Sequence, residues 1–306
     1  MIGEIASQSL YFGLVARLGA MNARVGSPEE SLAFCTVLVC LRLDKPNADI
    51  LAVARDLAQR CESAVIGLVA KQAVAHPPSA GAGPREPFQR DLQRFKEQAA
   101  TVEQEMRDGL AHIERLDWRA KLTFGPASEY VAKEARAADL VIVPLDHRER
   151  PLLPSGQADT GDLLMSAGRP VLAVPSGALG LALETAMVCW VDAREARRAV
   201  ADALPLLKAS KRTEVVEVAQ SSAAEDARRR LDDVVGWLGR HGVQAAPRVE
   251  TGDGQEAQRL SAIAKTIGAD LIVAGAFGHS RLREWAFGGV TRDFLLVSDR
   301  CVFASH

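Results

Sequence analysis

Four glycines near the carboxyl end of the chain have a spacing that could serve phosphate binding. Gly275 ends an apolar run, Gly278 follows it, and Gly288 and Gly289 stand side by side after nine further residues. Glycine tolerates positive φ and lets another group approach the backbone closely. The first N–H groups of a helix attract anions. Glycines placed between a strand and a helix therefore favour a phosphate-binding loop, although plain turns would leave the same pattern.

The elements that must position these glycines belong to a sequence that is written twice. The run "ADLVIVP" at 138–144 resembles "ADLIVAG" at 269–275, an offset of 131 residues. The run "VLVCLRLD" at 37–44 resembles "AMVCWVDA" at 186–193, an offset of 149 residues when the Val-Cys pairs are matched. The first half therefore carries about 18 extra residues. We expect them in the loop of 71–87, which is rich in proline, glycine and alanine.

Each half alternates short β-branched runs with longer amphipathic runs, which predicts alternating strands and helices. The predicted strands are 36–42, 63–70, 118–124, 139–144, 170–174, 185–191, 213–219, 244–250, 270–275 and 301–305. The predicted helices are 47–61, 88–115, 127–136, 160–167, 194–208, 223–241, 254–267 and 287–297.

This alternation predicts an α/β fold made of two tandem, doubly wound, five-stranded parallel sheets. We expect one domain at 34–176 and a second at 183–306, joined by a short linker. Residues 1–33 lack the basic start of a signal peptide and are expected to form a weakly ordered extension.

Composition narrows the class of protein. Hydrophobic residues make up 48% and charged residues 25% of the 306 residues, and the net charge is −2. Such a chain has no general attraction to nucleic acid, and no apolar run is long enough for a membrane span. The five cysteines are scattered and form no CxxC pair, so we expect a reducing, cytoplasmic location and neither a disulfide framework nor a metal site.

The glycine pattern resembles the nucleotide-binding signature of the universal stress protein family. That signature is Gly, two residues, Gly, nine residues, Gly and then Ser or Thr, and Gly275, Gly278 and Gly288 match it. The segment "VCWVDAREARRAVADAL" resembles the first strand and helix of the family. The likeness covers most of 183–306 and, more weakly, 36–175, so the chain resembles a tandem universal stress protein with the adenine nucleotide alpha hydrolase-like fold.

The resemblance implies ATP as a ligand, with Mg²⁺ as a candidate companion. It assigns Asp192 to the adenosine portion and Val218 to adenine through its backbone. It assigns the phosphates to the glycine segment, whose candidate residues are Ala274, Gly275, Gly278, His279, Gly288, Gly289, Val290 and Thr291.

Two departures from the family pattern weaken this assignment. Gly289 occupies the Ser/Thr position, so one hydroxyl donor is missing. Thr291 repeats Thr160 at the offset of 131, in a half without the glycines, which favours a role in starting a helix. At the same offset, Gly275 corresponds to Pro144, which has no N–H group. We therefore expect a single ATP site, in the second half. The acidic position of the first half falls near Arg42 or Asp44.

Three functions fit these patterns. The first is a stress-response module in which ATP regulates binding to an unknown protein partner. The second is a nucleotide-free module that binds a protein or an apolar ligand and carries a decayed ATP site. The third is a slow ATPase, for which the sequence offers no recognisable base, so we expect no well-defined catalysis. The last strands of the two halves are expected to pair antiparallel in an intramolecular pseudo-dimer, and a further homodimer is an open alternative.

Overall fold

The computed structural model describes residues 34–73, 85–145, 156, 158–252, 256–276 and 298–306. The expected extension of 1–33, most of the 71–87 loop and the predicted helix of 287–297 lie outside these residues. The first half contains β1 (Thr36–Cys40), α1 (Ala48–Cys61), β2 (Ala64–Gln72), α2 (Arg85–Gly109), β3 (Leu116–Thr123), α3 (Ala127–Glu134), β4 (Leu140–Leu145), α4 (Thr160–Ser166) and β5 (Val171–Pro175).

The second half repeats this order with one interruption. It contains β6 (Thr185–Cys189), α5 (Arg194–Asp202), α6 (Leu204–Ala209), β7 (Arg212–Ala219), α7 (Ala224–Arg240), β8 (Ala245–Thr251), α8 (Glu256–Ile267), β9 (Leu271–Gly275) and β10 (Cys301–Ser305). The single helix predicted at 194–208 is two helices, since Pro205 stands in the first turn of α6 and cannot donate a backbone hydrogen bond to the preceding turn.

The ten strands of the described residues join one sheet in the order β3-β2-β1-β4-β5-β10-β9-β6-β7-β8. Every neighbouring pair is parallel except β5 and β10, which pair antiparallel with Val302 opposite Ala173. The predicted α/β fold with a mostly parallel sheet is confirmed. The antiparallel pair joins the last strand of each half, so neither of these two strands is left as an exposed edge.

The strand registers of the two halves coincide. Val39 lies opposite Ile142 between β1 and β4, and Val188 lies opposite Val273 between β6 and β9. These pairs are related by the offsets of 149 and 131 that the sequence repeat shows. Residues at these offsets therefore occupy equivalent positions in the two half-sheets.

The extra residues of the first half lie between its second and third strands. The chain runs from Gln72 to Leu116 in the first half and from Ala219 to Ala245 in the second, a difference of 18 residues. The predicted loop takes only part of them, because α2 has 25 residues and its equivalent α7 has 17. The insertion therefore lengthens a helix as well as a loop.

Each face of the sheet carries its own set of helices and its own core. Val39 and Val188 belong to the core beneath α1, α2, α5, α6 and α7. Leu38 and Met187 belong to the core beneath α3, α4 and α8. Adjacent residues of a strand point to opposite faces, so each strand must be apolar on both sides. None of the described helices is both long and apolar enough to cross a membrane.

Candidate functional site

Three neighbouring strands of the second half bring described site residues to one edge of the sheet. Val218 is next to last in β7, Ala274 and Gly275 end β9, and Asp192 lies three residues beyond β6, which runs between them. The strands are parallel, so their carboxyl ends share one edge, where ligands bind in open α/β sheets. The other predicted residues lie outside the described ones: Gly278, His279, Gly288, Gly289, Val290 and Thr291.

Asp192 is accessible at this edge. Its side chain is 53% exposed, and Arg197 Nη1 donates a 2.8 Å hydrogen bond to its Oδ1. Both groups face solvent, so the ion pair contributes little to stability and can be exchanged for another partner. The carboxylate can therefore accept hydrogen bonds from a polar ligand.

Gly275 is needed for packing, whatever its role toward a ligand. A Cβ atom at this position would lie 2.6 Å from the backbone N of Ala196 and 2.6 Å from the carbonyl carbon of Glu195. Any larger residue would push the end of β9 away from the first turn of α5. The sequence pattern indicated a close backbone approach at Gly275, and the described neighbour is a helix of the same chain.

Glu195 is a buried carboxylate at this edge that sequence reasoning missed. Its side chain is 3% exposed, and Arg194 forms an ion pair with its Oε1 at 3.2 Å. Glu195 lies in the first turn of α5, where the helix dipole stabilises a negative charge. The backbone of Glu195 is also part of the turn on which the end of β9 packs.

Val218 and Cys189 line the face of the edge that α8 covers. Both pack against the core of that face. A Cβ on Gly252 would lie 2.6 Å from Val218 Cγ1, so the residue after β8 also fits closely. Burial raises the pKa of the Cys189 thiol to about 12. The thiol therefore stays protonated at neutral pH and serves as an apolar wall, not as a nucleophile.

The equivalent place in the first half is nearly closed. A cavity of about 30 Å³ remains there, roughly the volume of one water molecule. Its wall includes Cys40, Val143 and Pro144, which the offsets of 149 and 131 pair with Cys189, Ala274 and Gly275. It also includes Ala70, which the strand registers pair with Val218. No nucleotide fits this space.

A side chain of the first half also occupies the helix start that follows this cavity. Asp159 Oδ1 accepts hydrogen bonds from the backbone N–H groups of Gly161 at 2.9 Å and Asp162 at 3.1 Å. The helix begins at Thr160, as predicted for this Thr-x-Asp segment, but the capping side chain is Asp159. At the offset of 131, the equivalent of Asp159 is Val290, which offers no acceptor.

The loop after β1 is closed by its own polar groups. The offset of 149 pairs Asp192 with Leu43, so neither Arg42 nor Asp44 takes the acidic position. Arg42 is buried and forms an ion pair with Asp49. Fully buried Asn47 hydrogen-bonds the backbone of Arg42 through both side-chain atoms, at 2.8 and 3.1 Å.

Glu105 of α2 also holds this loop, and we call the group of Arg42, Asn47, Asp49 and Glu105 the loop lock. Its carboxylate accepts hydrogen bonds from the backbone N–H of Asn47 at 2.6 Å and from the Asn47 side chain at 3.0 Å. The lock therefore ties β1, α1 and α2 together without any ligand.

The second half matches a known family. The model of the universal stress protein family matches residues 181–300. This part of the chain is therefore similar to a universal stress protein domain. The match includes β6 to β9, the glycine segment and the candidate site.

Solved structures with the same fold cover most of the chain. A universal stress protein from Archaeoglobus fulgidus DSM 4304 is 14% identical with a TM-score of 0.68, over 88% of this chain and 95% of that one. A putative universal stress protein from Pseudomonas aeruginosa UCBPP-PA14 is 15% identical with a TM-score of 0.58, over 91% and 95%.

A protein of unknown function from Pseudomonas aeruginosa PAO1 is 16% identical with a TM-score of 0.58, over 92% and 94%. These identities are low, so the three structures support the fold alone. No curated protein matches the chain.

Proposed function

We propose that this protein is a stress-response module that binds one adenine nucleotide, with ATP as the regulatory ligand. The site lies at the carboxyl edge of β6, β7 and β9. Binding shifts the population of a state that interacts with a protein partner and drives no chemical cycle. The two halves, 34–176 and 183–306, act as tandem domains joined as a pseudo-dimer through β5 and β10.

The observation that carries this proposal is the contrast between Asp159 and Val290. In the first half, the Asp159 carboxylate satisfies two N–H groups at the start of α4. At the offset of 131 the second half has Val290, whose side chain offers no acceptor. A helix start in this segment, as the sequence predicts, leaves its N–H groups open to another acceptor, and a phosphate supplies negatively charged oxygens suited to that role.

The other predicted residues contact different parts of the nucleotide. Asp192 accepts hydrogen bonds from the ribose hydroxyls after exchanging its exposed Arg197 partner. The backbone at Val218 meets the adenine, and the apolar walls of Val218 and Cys189 favour its ring. Gly278 and Gly288 allow the loop to close around the phosphates. The described residues hold no group of three or more metal-ligating side chains, so Mg²⁺ would be held by phosphates and water.

Gly289 sets the expected strength of binding. The serine or threonine of the family pattern would add a hydroxyl donor to the phosphates. One lost hydrogen bond of this kind costs about 0.5–1.5 kcal/mol, which is up to about tenfold in affinity. We therefore expect weak ATP binding that Gly289→Ser strengthens.

The test is calorimetric titration of the full-length protein with ATP and Mg²⁺. Wild type should bind one nucleotide, and Gly278→Val should abolish binding by filling the loop. His147→Val changes the equivalent position of the first half and should leave binding unchanged. Val290→Asp installs the carboxylate found at Asp159, so it should compete for the N–H groups of the predicted helix start and repel the phosphates.

Three outcomes would contradict the proposal. They are an absence of heat at millimolar ATP, an equal loss in His147→Val, and full binding in Val290→Asp. Binding that appears only in Gly289→Ser would indicate a decayed site and favour the nucleotide-free interaction module.

A further inference from the structure

A second cavity lies between α5 and α7 in the half that contains the candidate nucleotide site. Its volume is about 560 Å³, within the range of small-molecule sites. Trp190, Val200, Val234 and Trp237 form its apolar wall. The cavity is therefore large enough for a fused aromatic ring and has the side chains to pack against one.

This cavity lies on the other face of the sheet from the nucleotide wall. Trp190 belongs to the core beneath α5 and α7. Cys189 and Val218 pack against the core beneath α8. The sheet separates the two walls, and Asp192 at the carboxyl edge borders the cavity as well. The cavity does not depend on the glycine segment.

Trp190 contributes a hydrogen-bond donor that has no acceptor. The residue is 9% exposed, and its Nε1 atom is buried without a hydrogen-bond partner among the described residues. Buried indole N–H groups normally have a partner. A ligand atom that accepts a hydrogen bond would satisfy this donor.

The rim of the cavity carries arginines and carboxylates. It has three arginines, Arg197, Arg230 and Arg240, against Asp192 and Asp233. Arg197 pairs with Asp192. Arg230 is held by the nearly buried Glu217, which fixes its guanidinium in place. Arg230 Nε, like Trp190 Nε1, is a buried donor without a partner among the described residues, so the wall offers hydrogen bonds to an acceptor group on a ligand.

The equivalent helices of the first half contact each other closely. A Cβ on Gly109 of α2 would lie 3.1 Å from Leu51 Cδ1 of α1. Glu105 of α2 hydrogen-bonds Asn47 beside α1. Met106 is fully buried in the same core. The fold therefore does not require a cavity here, and the gap between α5 and α7 is a property of the second half.

We propose that the cavity between α5 and α7 is a binding site for a small aromatic anion. The ring of the ligand packs between Trp190 and Trp237. Its acidic group accepts hydrogen bonds from the rim arginines and from Trp190 Nε1. The proposal stands whether or not the carboxyl edge binds a nucleotide.

The test uses naphthalene-1-sulfonate as the probe in calorimetric titrations of the full-length protein. We expect one saturable site. Methanesulfonate, which has the charge without the ring, and 1-naphthylmethylamine, which has the ring with the opposite charge, should each bind at least about tenfold more weakly.

Matched variants locate the binding. Val234→Phe fills the cavity and should weaken the probe at least about tenfold, whereas Val235→Phe, on the next residue of α7 and outside the cavity wall, should change it less than about twofold. Arg240→Gln should weaken the probe about threefold, and Arg228→Gln, on the same helix, should not. Circular dichroism checks that each variant is folded.

Three results would overturn the proposal: no saturable heat with the probe, equal binding in wild type and Val234→Phe, or equal affinity for the cationic analogue. If Val234→Phe does not fold, the exposed Arg240→Gln decides in its place, and unchanged binding in that variant would count against the site.

Discussion

The two half-sheets share one strand register, but the carboxyl edge is filled by side chains in the first half and keeps exposed polar groups in the second. The first half fills the edge with Pro144 and caps the following helix with Asp159. It also closes its first loop with buried Asn47. The second half has Gly275 and an exposed Asp192 in equivalent regions. One fold thus supports an edge that is stable by itself and an edge that keeps polar groups available.

The largest expected effect concerns the strand end. Gly275→Val would push a side chain into the backbone of Glu195 and Ala196, which lies 2.6 Å from the Cβ position. We expect the free energy of unfolding to fall by about 3 kcal/mol or more, and the melting temperature to fall by about 6–12 °C. Thermal melting by circular dichroism measures it. Pro144→Gly, at the equivalent position, should cost less than about 1.5 kcal/mol, and equal costs would refute the difference between the two edges.

The next effect compares the two first loops. Asn47→Ala removes three side-chain hydrogen bonds of Asn47, two to the backbone of Arg42 and one to Glu105, and leaves the backbone bond to Glu105 in place. We expect a cost of about 2–3 kcal/mol in urea unfolding. Asp192→Ala removes an exposed ion pair and should change stability by less than about 0.5 kcal/mol. A large loss in Asp192→Ala would show that this loop, too, is a structural lock.

The smallest effect, when stability is measured no higher than pH 10, tests what the two edges share. Burial raises the pKa of the equivalent thiols Cys40 and Cys189 from 9.0 to about 12. Above pH 9 the unfolded chain loses these protons while the folded chain keeps them, so stability should fall between pH 9 and 12. Each thiol accounts for up to about 1.4 kcal/mol per pH unit.

Urea unfolding at pH 8, 9 and 10 measures this slope. Cys40→Ala and Cys189→Ala should each flatten the slope of stability against pH by a similar amount. Below pH 9 the slope should be the same as in wild type. Cys35→Ala, at an exposed cysteine, is the control. If Cys35→Ala flattened the slope as much as the other two variants do, the assignment to the buried thiols would be wrong.

Much of the fold could be predicted from local patterns. Apolar runs such as "VIVP" and "LIVAG" mark strands buried on both faces, and the offsets of 131 and 149 anticipated the strand registers. Helix boundaries were less accurate: the helix predicted at 88–115 is Arg85–Gly109. The break between α5 and α6 was missed, although Pro205 was a usable signal.

The candidate site was only partly predictable. Asp192, Val218, Ala274 and Gly275 could be placed at one edge, because strand order in such folds follows from the βα repeat. The packing of Gly275 on α5 and the burial of Glu195 could not, since both depend on how closely a strand end approaches a helix from another part of the chain. The nucleotide roles of the glycine segment stay predictions.

The sequence by itself determined which residues alternate between the two faces of each strand and which glycines and acids follow the strands. Only the tertiary structure decided that Asn47 and Glu105 lock one half, and that Trp190 and Trp237 border a cavity in the other. The physical reason is that alternation is fixed by neighbouring residues, whereas the gap between two helices depends on side chains that meet from distant segments.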